Sequence, residues 1–384
     1  MKKIGIATPF KVPNYGTKLQ AYAISTYMSS VCDGEVEILN YNPSSDRRVS
    51  TVLRKAFSLK RNIARIKRIL NKQAVEKSAD PTLIQKRKSS INSFDSLYHL
   101  SKPINGFQML QEKSGEYDCL ICGSDQIWLP GNLQDKYYTL EFCGKRDVKK
   151  GSYAASLGVE TLTEKEKKAY SGFLSKLDFI SVREDIGRDL IQSFFKAKPI
   201  TWVCDPTFLL DKKDWEQLEQ KPPILDEVAS GYIFCYFLGT DEASRIAVSE
   251  YAKKQGLKIL TVANFKGYCE ADTSLTDCQL YDLSVNEFLY LIHHANLVCT
   301  DSMHATIFSM IFENQFVTFE RFRKDDTNSR NSRIYSLLSV MGLEKRLIEG
   351  NATIPDESID FVKVKPKREA HINASKQFIS REIL

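Results

Sequence analysis

Residues 296–312 read NLVCTDSMHATIFSMIF, and this stretch decides the fold. Leu297–Thr300 is a short apolar run of strand character. Asp301 and Ser302 are good helix N-cap types, and the apolar residues from Met303 onward continue long enough to form a helix. A buried strand, a polar turn and a helix make the repeating unit of a parallel α/β sheet. The unit recurs on both sides. The pattern predicts strands at 4–8, 36–40, 118–122, 151–155, 179–182 and 200–204, then a second set at 232–237, 258–262, 297–300 and 316–319. Amphipathic segments such as 16–30, 163–176, 183–194 and 243–254 fall between them.

Two such sets imply an α/β protein of two Rossmann-like domains with parallel sheets and right-handed crossovers. A chain of 384 residues suits two cores better than one. The expected division is an N-terminal domain at 1–210, a charged linker with paired prolines at 211–230 and a C-terminal domain at 231–365. A last segment, 366–384, is expected to pack back on the first domain, its helix running over about 372–384. Open parallel sheets bind ligands beyond the carboxyl ends of their strands, so the loops after each strand are the places to search.

The opening MKKIGIATPF lacks the apolar core of a signal peptide, and no run approaches the roughly 18 apolar residues of a membrane span. The nine cysteines are scattered and odd in number, which suits a reducing compartment; the expectation is a cytoplasmic protein. Cys119 and Cys122 form the one C-x-x-C, but they lie inside a predicted strand without partner ligands, so no metal site is expected. Charge is uneven. Residues 47–90 hold 14 basic and 2 acidic residues against 40 and 46 in the remainder, which excludes a basic surface of the nucleic-acid-binding kind. Within it, 47–75 combines cations with apolar residues at three- and four-residue steps. That pattern suits a peripheral helix on anionic lipid at the inner membrane face, a helix buried on the first domain, or a disordered insertion.

Several post-strand loops carry candidate ligand groups. After the first strand, Asn14, Gly16 and Gln20 open a helix; the amides suit sugar hydroxyls, and the same residues suit an ordinary turn. After 118–122 come Ser124, Asp125, Gln126 and Trp128, the last able to stack on a sugar or to cover the sheet end. Arg183 stands at a strand end, where a guanidinium can fork onto phosphate or carboxylate or pair with a nearby acid. Ser302 and His304 sit at the helix start of the opening stretch, an anion-binding position with a titratable donor added. Arg321, Lys324 and Arg333 follow the strand at 316–319 on the same rim. Walker A, G-x-G-x-x-G, G-x-S-x-G and H-E-x-x-H motifs are absent from the sequence.

The segments NYGTKLQAYA, ICGSDQIW, GSYAASLG, ISVRED, CDPTFLL, TDSMHATIFSMIF and NSRIYSLL occur in an order that resembles the polysaccharide pyruvyl transferase family over about residues 4–345. The resemblance implies a glycosyltransferase-B-like pair of domains with the active site in the cleft between them. It also implies phosphoenolpyruvate as co-substrate, no other cofactor, and a sugar or lipid-linked oligosaccharide acceptor for a surface or capsular polysaccharide. Arg183 and His304 match the family's catalytic arginine and histidine, and Lys324 its later basic residue, a place that Arg321 or Arg323 can also fill. Ala305 departs from the glycine many members carry. A nucleotide-sugar glycosyltransferase of similar fold and a non-catalytic glycan-binding protein of capsule assembly are the competing readings.

Overall fold

The computed structural model describes residues 2–43, 81–145, 147–228, 231–264, 269–273, 275–322, 330–349 and 352–384. Most of the basic segment, including 47–75, lies outside the described residues, as do Arg323 and Lys324.

The first half contains β1 (Lys2–Ala7), α1 (Tyr15–Val31), β2 (Gly34–Ile38), β3 (Tyr41–Asn42), α2 (Pro81–Asn92), β4 (Ile104–Asn105), α3 (Phe107–Lys113) and β5 (Cys119–Cys122). It continues with β6 (Lys149–Ser152), α4 (Glu164–Leu174), β7 (Ser181–Val182), α5 (Asp185–Phe194) and β8 (Thr201–Trp202). The central sheet runs β2-β1-β5-β6, all parallel. Parallel bridges Gly151–Phe179 and Ala155–Val182 extend it toward β7 and β8, and Ile38–Leu100 extends it on the other side toward β4. Chain order therefore reverses between β1 and β5. Strand residues alternate between two apolar layers. Cys119 and Ile121 join Leu19 and Ile24 of α1 on one face, while Leu120 and Cys122 join Tyr170 and Phe173 of α4 on the other. A strand covered on both faces needs a continuous apolar run, which is why CLIC reads as it does. Cys119 and Cys122 thus point to opposite layers, and burial pushes the Cys119 thiol up to about 12.

The crossing between halves is not featureless. A short helix, α6 (Lys212–Glu216), is capped reciprocally by Asp211 and Asp214. Its Trp215 is fully buried, edge-on to Phe308 at 4.8 Å. The second half contains β9 (Tyr232–Tyr236), α7 (Glu242–Gln255), β10 (Lys258–Val262), α8 (Glu270–Thr273), β11 (Cys278–Leu280), α9 (Val285–His293) and β12 (Leu297–Thr300). It ends with α10 (Met303–Phe312), β13 (Phe316–Phe319), α11 (Ser332–Met341) and β14 (Leu347–Ile348). Its parallel sheet has the order β11-β10-β9-β12-β13-β14, the 3-2-1-4-5-6 arrangement of dinucleotide-binding folds. The reversal falls between β9 and β12.

One core cluster spans both halves, with Leu19 and Ile24 of α1, Phe288 of α9 and Phe308 of α10 among its members. Tyr15 stacks on Phe288 with centroids 4.3 Å apart, and its hydroxyl donates to Leu283 O at 2.9 Å. The final helix, α12 (Phe361–Glu382), begins earlier than the sequence pattern implies and carries Pro366 in its second turn. It lies against the first half: Cys204 N donates to Ser375 Oγ at 2.8 Å, and Phe378 meets Phe179 edge-on at 6.2 Å. Among the described residues no helix is long and apolar enough to cross a membrane.

Candidate active site

Both reversal points face one another across the cleft, and the helices nearest to them fix the side chains there. Asn14 caps α1, its Oδ1 accepting from Thr17 N at 3.2 Å. One turn on, Gln20 is fully buried. Its Nε2 donates to Pro9 O at 3.0 Å, and its Oε1 accepts from Ser124 N at 3.1 Å. Ser124 is buried too, donating to Ala154 O at 2.7 Å. Gln20 and Ser124 therefore lock the loops after β1 and β5 together; they have no surface for a sugar. Trp128 corrects the sequence reading in the same way. It is fully buried, donates to Tyr138 O at 3.0 Å and packs edge-on against Phe173 at 5.2 Å. A ring without an exposed face covers the sheet end and stacks on nothing outside the protein.

The remaining candidates do converge. Asp125 has φ 66°, the left-handed region, which turns its carboxylate back toward α1, where Thr17 Oγ1 donates to Oδ2 at 3.1 Å. Arg183 is 6% exposed and surrounded by acids: Nη1 donates to Asp205 Oδ2 at 2.6 Å, Nη2 lies 3.5 Å from Asp125 Oδ1 and Nε 3.6 Å from Glu184 Oε1. Asp205 is the junction of this network. Its Oδ1 accepts from Thr207 N at 3.0 Å and Thr207 Oγ1 at 2.7 Å, while Oδ2 also lies 3.5 Å from His304 Nε2. His304 comes from the first turn of α10, whose N-cap residue Ser302 makes no side-chain cap. That helix start keeps its orphan N–H groups and the positive end of its dipole.

Acids and bases in the site are unevenly paired. Burial alone would raise the carboxyls of Asp125 and Asp205. Instead His304 and Arg183 hold Asp205 far below the usual range, and Arg183, His304 and Arg333 hold Asp125 below it. Glu184 goes the other way, burial winning over Arg183. On the cationic side, Arg321 Nη2 donates to Asp301 O at 2.6 Å and lies 3.3 Å from Asp301 Oδ1. Arg330 Nη1 donates across the cleft to Gln126 Oε1 at 3.0 Å, and Arg333 Nε donates to Arg330 O at 3.3 Å. Neither Arg330 nor Arg333 forms an ion pair among the described residues. Burial, then repulsion from Arg183 and Arg321, pulls the Arg333 guanidinium down to about 9. Buried donors on both sides of the cleft lack a hydrogen-bond partner: Arg183 Nε and Nη2, His304 Nε2, Gln126 Nε2 and Arg321 Nε. Two guanidiniums with no ion pair among the described residues, together with unsatisfied donors, could take a small, multiply charged anion.

The structure therefore gathers Asn14, Gly16, Asp125, Gln126, Arg183, Ser302, His304, Arg321 and Arg333 around one cleft, and sets Gln20, Ser124 and Trp128 behind it. Two contributors were missed. Asp205 stands in CDPTFLL, where an acid before proline at a strand end was the only signal. Arg87, from the basic segment, is buried in the second half, donating to Asn264 O at 2.7 Å and Tyr281 O at 2.9 Å. Away from the cleft, Glu219 lies 2.8 Å from His293 Nδ1 and 3.2 Å from His294 Nε2, within hydrogen-bonding distance of both.

Two facing Rossmann-like sheets with the site between them define a glycosyltransferase-B-like fold. It is shared with the UDP-GlcNAc 2-epimerase of Neisseria meningitidis bound to UDP-GlcNAc, at TM-score 0.52 and 9% identity over 99% of this chain and 99% of that chain. The UDP-GlcNAc 2-epimerase of Methanocaldococcus jannaschii is similar to the same degree, at TM-score 0.52 and 10% identity over 97% of this chain and 93% of that one. At such identities the likeness concerns the fold alone. None of the curated proteins searched matches the chain. The sequence profile of Polysaccharide pyruvyl transferase matches residues 14–321, and the chain belongs to the polysaccharide pyruvyl transferase family, a family of transferases.

Proposed function

We propose that the protein transfers the enolpyruvyl group of phosphoenolpyruvate to two hydroxyls of one sugar, giving a cyclic pyruvate ketal and inorganic phosphate. The observation that carries this reading is Arg333, without an ion pair among the described residues, acting on the same Asp125 as His304 at the uncapped start of α10. Phosphoenolpyruvate brings a phosphate and a carboxylate on a three-carbon frame, and their charge can pair with Arg330 and Arg333. The methylene carbon gains a proton, C2 bonds successively to two sugar oxygens, and the bond between C2 and the phosphate oxygen breaks. Of the two hydroxyl protons, one replaces the proton placed on carbon and the other leaves with phosphate.

His304 supplies the proton or steadies the departing phosphate. Asp205 holds its Nε2 side, and Arg333 and Arg321 face the developing phosphate charge. Arg183, already matched by three carboxylates, chiefly ties Asp125 and Asp205 into place around them. Nothing in this scheme calls on a metal. The test is release of inorganic phosphate from phosphoenolpyruvate with glycosides as acceptors, run beside release of nucleotide from sugar nucleotides. Nucleotide release without phosphate release would favour a glycosyltransferase; binding of glycan with neither would favour a non-catalytic protein.

A further inference from the structure

With Trp128 buried, the ring platform for a sugar has to be elsewhere, and a groove of about 200 Å³ lies at the carboxyl ends of β1 and β2. The half-buried Tyr138 lines it, backed by the buried rings of Phe10, Tyr41 and Tyr137, with the exposed Val12 and Lys11 at the lip. The aromatic rings are mutually braced. Tyr41 and Tyr137 lie 4.9 Å apart between centroids, as do Tyr137 and Tyr138, and Tyr137 OH donates to Leu39 O at 3.1 Å. Lys11 Nζ donates to Tyr41 O at 2.8 Å and to Asn42 Oδ1, two bonds among the described residues for its three N–H donors. Val12 is 48% exposed, an apolar side chain at the open edge.

We propose that this groove is the acceptor subsite, holding one hexopyranose ring of the glycan to be pyruvylated; the assignment rests on the function proposed above. The half-buried ring of Tyr138 matches the C–H face of a pyranose, and the exposed Lys11 ammonium at the lip matches a hydroxyl or ring oxygen. The volume lies below the roughly 300–1,000 Å³ of pockets for drug-sized ligands, so it suits a single ring. Its place is also right. The lip residue Val12 is two positions before Asn14, and Thr8, on the groove wall, donates to Gln20 Oε1, which also accepts from Ser124 N beside Asp125. A ring seated there borders the loops that carry Asn14, Gly16 and Asp125.

The experiment is saturation-transfer NMR on the full chain with methyl α- and β-glycosides of glucose, galactose and mannose, without phosphoenolpyruvate, followed by steady-state kinetics. At least one glycoside should show transfer to its ring protons, and Tyr138→Ala should abolish it. In turnover, Tyr138→Ala and Lys11→Met should raise the acceptor KM about tenfold, the ratio one aromatic or polar contact supports, with the phosphoenolpyruvate KM unchanged. Val12→Asp, on an exposed side chain, repeats the test where Tyr138→Ala impairs folding. An unchanged acceptor KM in Tyr138→Ala and Val12→Asp overturns the groove while leaving the donor reading intact. So does absence of transfer from every glycoside while phosphate still raises Tm. Transfer lost in Tyr138→Ala, in a protein that never releases phosphate from phosphoenolpyruvate, upholds the groove and overturns the donor reading instead.

Discussion

His304 lies directly on the Cα of Gly16: a Cβ added at Gly16 would stand 2.1 Å from His304 Nδ1 and 2.4 Å from its Cγ. No real pair of atoms tolerates that approach, and His304, only 8% exposed, has little room to withdraw. Gly16 is thus the residue that lets the start of α1 in one half meet the start of α10 in the other. Gly16→Ala should leave both sheets folded but displace the imidazole. The expected loss in kcat is on the order of a hundredfold, the scale of a misplaced proton donor, with the far-ultraviolet spectrum unchanged. Near-normal turnover would show that His304 does its work in another position.

Trp128 gives a prediction of the opposite kind. A fully buried indole that covers the end of the first sheet should cost about 3–5 kcal/mol when cut to alanine, measured by urea unfolding. A platform facing solvent would cost within about 0.5 kcal/mol. A small cost would therefore return Trp128 to the surface and undo the reason for seeking the sugar platform at Tyr138.

The legible part of this protein is the part written locally. Runs such as CLIC and LVCT are apolar on both faces because both faces are covered, so the parallel sheets could be read directly, and with them the loops that bear Asp125, Arg183 and His304. The short strands β3, β4 and β14 span two residues each and leave little pattern to read. Asn14, Gln20, Ser124 and Trp128 all sit in the right loops, but composition does not say which way a side chain turns in a loop. Pairings across the cleft were illegible for a different reason. Arg183 and Asp205 are 22 positions apart, and Asp205 and His304 come from different halves, so only the packed chain brings them together. Arg87 shows the same limit: its segment reads as a charged surface, yet the side chain is buried on two backbone carbonyls of the other half.

Asp205 is best tested through pH. Its folded carboxyl titrates below the unfolded value, so the stability it contributes is present above roughly pH 4 and lost as pH falls through the lower folded value. Across neutral pH it is a full negative charge beside His304 Nε2. Asp205→Asn keeps an oxygen for Thr207 and removes that charge. Stability of the variant, read by urea unfolding, should fall less than that of the parent as pH is lowered below about 4, and kcat at neutral pH should drop about tenfold as His304 loses its oriented partner. Turnover equal to the parent's would remove Asp205 from the positioning of His304.

Arg333 decides whether the cleft is built for an anion. Its folded value of about 9 lies below the ordinary guanidinium range, pulled there by burial and then by Arg183 and Arg321, so the penalty of its charge is fully present below about 9. At neutral pH the charged guanidinium is therefore a cost to the unliganded fold. Arg333→Met keeps the packing of the stem and removes the charge, and the unliganded variant should melt about 1–3 °C higher than the parent. Phosphate or phosphoenolpyruvate should stabilise the parent by about 2.7 kcal/mol at a hundred times its Kd, and the variant far less. In the parent, that anion-dependent shift should shrink as sodium chloride is added, since it rests on charge. Differential scanning calorimetry at neutral pH, with and without phosphate and at low and high salt, measures all three. A variant that melts lower than the parent and still responds fully to phosphate would remove Arg333 from the donor site and leave anion binding to Arg330 and the start of α10.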